Sequence, residues 1–68
     1  MNMADCYIGE YSHIQKCYHI ITFEEALKIN FEMAKQGVFN DYIPICYGFS
    51  YKEVQAKLDK IQEEMGRP

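Results

Sequence analysis

The stretch CYIGEYSHIQKCYH, residues 6–19, decides the fold because it supports two incompatible readings. Cys6, His13, Cys17 and His19 fall within fourteen positions, as the ligands of a small zinc domain do. The same residues also read as strand, loop and strand. If residues 12–15 form a four-residue loop, Tyr11 pairs with Lys16, Cys6 faces Ile21 and Cys17 faces Glu10. The two thiols then stand four positions apart, about 13 Å at roughly 3.3 Å per residue, while zinc ligands each approach the ion to about 2.0–2.3 Å. Only Cys17 and His19, two apart on one strand, could chelate together. The spacing C-x6-H-x3-C-x-H also matches none of the usual finger or ribbon patterns. The hairpin is therefore the better reading, and no metal is expected.

That hairpin has two faces. Cys6, Ile8, Glu10, Cys17, His19 and Ile21 share one; Tyr7, Gly9, Tyr11, Lys16, Tyr18 and Ile20 share the other. The tyrosine face is expected to stay open, because each phenol needs a polar neighbour or water at its tip. The alternative places Tyr7, Tyr18 and Tyr47 in the core with their hydroxyls at the rim. SHIQ holds none of the residues that specify a tight hairpin turn, so the first strand, ADCYIGEY, is the less strongly marked of the pair.

Downstream, KCYHIIT runs directly into a helix. Thr22-Phe-Glu-Glu25 and Ser50-Tyr-Lys-Glu53 both match the capping box, in which a hydroxyl and a carboxylate satisfy N–H groups orphaned at a helix start. Gly37 and Gly66 stand where a left-handed residue closes a helix. Helices are therefore expected over residues 23–36 and 51–65. At about 100° per residue the second collects Tyr51, Val54, Leu58, Ile61 and Met65 into one stripe, suited to docking on a sheet or on the first helix.

The first helix is broader in its apolar coverage. Phe23, Ala26, Leu27, Ile29, Phe31, Met33 and Ala34 cover roughly half its circumference, wider than a surface helix needs. It should touch the sheet and, in addition, the second helix or another copy of the chain. Ile29, Asn30, Phe31 and Met33 are the candidate oligomer interface. Asn30, in the middle of that face, needs hydrogen-bond partners, either backbone groups or an interface or ligand.

Between the helices, GVFNDYIPICYGFSY (residues 37–51) carries one charge, Asp41, and five of the ten aromatic residues. Residues 42–48 read as a strand with Ile43, Ile45 and Tyr47 on one side and Tyr42, Pro44, Cys46 and Gly48 on the other. Pro44 cannot donate to a ladder, which puts the strand at an edge or the proline at a bulge. The expected fold is a single small α+β domain over residues 1–68, in the order β-β-α-β-α, with two amphipathic helices on one face of two or three short strands. Strands two and three would be parallel if adjacent.

A chain of 68 residues buries only about 60% of the surface its unfolded form exposes. Its core must be thin, and a further source of stability is called for. The hydrophobic fraction of 49% makes self-association the natural source. A net charge of −3, with seven basic residues spread along the chain, argues against nucleic acid as a partner. No secretory signal and no apolar run of about 20 residues is present, so neither secretion nor a membrane is expected and the cytoplasm is. Three cysteines without a CxxC pair then read as reduced thiols.

No catalytic apparatus stands out. Cys17 beside His19 is the one local nucleophile–base pair, with no third orienting group evident in the sequence. The four glycines are too scattered for a phosphate loop and read as turn and cap residues. The expectation is a non-enzymatic interaction protein, without cofactor, that acts as a homo-oligomer on another macromolecule as inhibitor or regulator. A second reading is a binder of a small nucleotide-like ligand at a subunit interface, and a third a structural thiol or zinc domain. For the first two, the candidate binding residues are Tyr7, Tyr11, Tyr18, Phe39, Tyr42 and Tyr47. In size and lack of catalytic apparatus the chain resembles the small acidic proteins with which bacteriophages disable host enzymes; the likeness implies an inhibitor and rests on no motif.

Overall fold

Thr22 ends a strand and caps a helix in the same step, and this junction sets the chain's course. The computed structural model describes residues 5–65. It runs β1 (Tyr7–Ser12), β2 (Cys17–Thr22), α1 (Phe23–Gln36), β3 (Tyr42–Gly48) and α2 (Tyr51–Glu64), the α+β order read from the sequence. The three strands form one antiparallel sheet with β1 in the centre, in the order β2-β1-β3. Strands β2 and β3 therefore point the same way but do not touch.

Both helix starts use their hydroxyls as capping groups. The Thr22 side chain accepts from the Glu25 N–H at 3.2 Å, and Ser50 accepts from the Glu53 N–H at 3.1 Å. Each bond satisfies a donor that the first turn leaves unpaired. Gly37, at φ 73°, closes α1: its N–H bonds the Ala34 carbonyl while Val38 N–H reaches Met33, the paired bonds of a Schellman motif. Helix α2 ends at Glu64 with Met65 as its cap, and the expected role of Gly66 lies outside the described residues.

The hairpin register differs from the expectation by one step in the loop. Ser12 pairs with Cys17, Tyr11 with Tyr18 and Ile8 with Ile21, so residues 13–16 make the loop. Lys16 takes the left-handed conformation, φ 58°, that closes it. The shift moves every partner by two, an even number, so both faces keep the membership read from the sequence except for Lys16. The thiols of Cys6 and Cys17 end six positions apart, roughly 20 Å, further than expected.

What covers those faces is a correction. Helix α2 lies on the tyrosine face, not the opposite one. A Cβ built on Gly9 would stand 2.9 Å from Val54 Cγ1 and 3.0 Å from Leu58 Cδ2, so the bare glycine lets α2 settle on β1. Val54 and Leu58 are the best-buried apolar side chains, at 0% and 2% exposure. Tyr7 and Tyr18 flank this contact, edge-on to Tyr51 at 6.4 Å and donating to Met65 Sδ at 3.8 Å. Gly9 and Gly48 are thus strand residues, not turn residues.

Strand β3 is an edge strand, as Pro44 required, and it carries a bulge. Its register slips between Gly9 and Glu10, which face Cys46 and Pro44 and leave Ile45 extra. The slip breaks the expected alternation. Ile43 joins Cys46 and Gly48 on the α2 face, while Tyr42, Pro44 and Tyr47 share the other.

Candidate interaction surface

The broad apolar face of α1 is left largely unused. Of its side chains only Ala26 is buried; Phe23 and Met33 are half-buried. Leu27, Ile29 and Phe31 are exposed, Phe31 at 63%. Helix α1 approaches β1 and β2 and is not packed along α2. The second contact that its sequence asks for is therefore not made among the described residues. Lys35 extends over the Phe31 ring at 5.3 Å and Glu32 pairs with Lys35 at 3.4 Å, so a thin charged margin borders the apolar area.

The apolar surface continues past the helix end. Val38 is exposed and Phe39 stands at 98%, with no shelter at all. Asn30, expected either to bond backbone or to serve an interface, accepts instead from Asn40 Nδ2 at 2.7 Å, and Asn40 Oδ1 accepts from Tyr42 N–H at 3.0 Å. This pair of bonds holds residues 38–40 against the end of α1. Together they frame an open cleft of about 390 Å³ among Asn30, Met33, Gly37, Val38 and Phe39. Beyond it, Ile43, Ile45 and Tyr47 are exposed along β3, and Lys57 lies over the Tyr47 ring at 5.2 Å.

The six candidate binding residues do not form one row. Tyr7, Tyr11 and Tyr18 are half-buried on the α2 face, Tyr11 packed on Tyr18 with ring centres 4.8 Å apart. Tyr42 and Tyr47 lie on the opposite face, and Phe39 belongs to the α1 surface. The four candidate interface residues all belong to α1, with Ile29, Asn30 and Phe31 exposed and Met33 half-buried beside the cleft, but at about 100° per residue Ile29 and Phe31 point about 160° apart.

A polar cluster sits on the sheet face away from α2. Glu10 is 2% exposed, its Oε1 bonded to His19 Nε2 at 2.5 Å and its Oε2 without a partner among the described residues. The His19 ring stacks on Tyr42 at 3.9 Å. Cys17 Sγ contacts the Tyr42 hydroxyl at 3.6 Å and Gln15 Oε1 at 3.9 Å. The bond with Cys17, ahead of burial, raises the Tyr42 phenol above its usual range. Thus the polar contacts of the thiol are with Tyr42 and Gln15, while His19 is engaged by the carboxylate. No group of three or more His, Cys, Asp or Glu side chains is placed to hold a metal among the described residues.

Beside this cluster, Ser12 Oγ donates to Asp41 and accepts from Gln15 N–H at 2.9 Å, and Ile14 N–H reaches Asp41 at 3.3 Å. The hairpin loop is thus pinned by a carboxylate 29 positions away from Ser12. No local sequence pattern could show this. Cys6, Cys17 and Cys46 are all free thiols; burial, the largest influence, pushes Cys46 upward in pKa.

The described residues include no helix long and apolar enough to cross a membrane. No family model, curated protein or solved structure matches the chain.

Proposed function

We propose that the protein is a small non-catalytic interaction protein that works as a homo-oligomer and occupies a surface of another macromolecule. The observation that carries this reading is apolar surface that the fold leaves uncovered. Leu27, Ile29, Phe31, Val38 and Phe39 are exposed on α1 and just beyond its end, aromatic and aliphatic side chains of the kind found at contact sites. An inhibitor or regulator needs no more than such a surface.

Light scattering on the wild type and on Phe31→Asp tests the reading. The wild type should have at least twice the 8.0 kDa chain mass. Phe31 is already exposed, so the aspartate should leave the fold intact by circular dichroism while lowering the mass toward the monomer. An unchanged mass in the variant would remove α1 from the interface.

A further inference from the structure

We infer that two copies of the chain join through the free edge of β2, antiparallel, around a two-fold axis at Ile20, giving one continuous six-stranded sheet. This rests on the self-association proposed above and names its site. The two edges of the sheet differ in kind. Along β3, Pro44 lacks a donor, the slip at Ile45 interrupts the ladder, and Lys57 Nζ bonds the Tyr47 carbonyl at 2.6 Å. Prolines, bulges and lysines are the devices that keep an edge strand from pairing with another chain. Strand β2, Cys17–Thr22, has none of them: no proline, no glycine, no Lys, Arg, Asp or Glu, and an unbroken register.

The ladder also fixes which groups of β2 are free. Phe23 N–H bonds the Cys6 carbonyl at 2.9 Å, which marks that pair as a hydrogen-bonded one. In an antiparallel ladder such pairs alternate, so Ile21, His19 and Cys17 spend their backbone groups on β1. The N–H groups of Tyr18, Ile20 and Thr22 point to the open side. Among the described residues, no backbone–backbone or side-chain hydrogen bond reaches them. A second β2 related by a two-fold at Ile20 places Tyr18 opposite Thr22 and Ile20 opposite its own copy, so every outward donor meets an acceptor. The arrangement is self-complementary, as an isologous dimer requires. It keeps both α2 helices on one face of the joint sheet.

Two measurements test the edge. In the wild type, hydrogen exchange followed by NMR should show the Tyr18, Ile20 and Thr22 amides protected, with protection that fades as the sample is diluted. Ile20→Pro removes one outward N–H and no bond to β1, at an edge position where proline is tolerated. It should give a folded chain of 8.0 kDa. Should Ile20→Pro fail to fold, Ile20→Lys, an edge charge without a backbone change, makes the same separation of mass from fold. A dimeric wild type whose three amides exchange as freely as an open edge overturns the β2 assignment and leaves self-association standing. A wild type that is monomeric at every concentration overturns both.

Discussion

A methyl group at Gly9 would sit 2.6 Å from Cys46 Sγ and 2.9 Å from Val54, so any side chain here forces its neighbours to shift. Gly9→Ala should lose about 1–3 kcal/mol, the usual penalty for overpacking, read as a lower urea midpoint with the fold retained. The reason this glycine reads as punctuation in the sequence is that its demand comes from Cys46 on β3 and from Val54 and Leu58 on α2, all distant in the chain. Glu53 was easier to read. Its carboxylate accepts from Phe49 N–H at 3.0 Å and pairs with Lys57 at 3.2 Å, and these contacts, the backbone bond first, hold its pKa below the usual carboxylate range. A lowered carboxylate stabilises the fold above the unfolded group's pKa and loses that contribution as pH falls through the folded value. Urea midpoints should therefore fall in acid, and the fall should be shallower in Glu53→Gln. Equal slopes would remove Glu53 from the acid response.

The helices were legible because their instructions are local. Thr22 with Glu25, Ser50 with Glu53, and Gly37 at φ 73° state start and stop within a few residues of where each acts. Strand β3 was legible for the same reason, Pro44 forbidding a central place. The rest depends on residues distant in sequence. The loop at residues 13–16 is held by Asp41, and the slip at Ile45, beside Pro44, shows only in how β3 pairs with β1. Which sheet face α2 covers followed from the missing Cβ of Gly9, a feature that apolar and tyrosine patterns do not weigh. Of the candidate surface, the exposure of Ile29 and Phe31 was readable, because the apolar coverage of α1 exceeds what one contact can bury. The scatter of the tyrosines over both sheet faces was not, because it depends on how β3 pairs with β1 and on the bulge at Ile45.

At the scale of the molecule, thinness governs. The Cα envelope measures 36 × 33 × 11 Å, so few positions lie far from solvent. Among the described residues only five apolar ones are buried: Cys6, Ile8, Ala26, Val54 and Leu58. Against them stand eleven exposed large apolar side chains. A core this small leaves little margin over the conformational entropy that folding costs, and the proposed association would add to that margin. That linkage is the central claim, and thermal unfolding over a hundredfold dilution series measures it directly. The melting temperature should fall steadily as the protein is diluted, because the dimer is favoured only at sufficient chain concentration. A sharp transition at one temperature throughout the series, with the mass of a single chain, would contradict it.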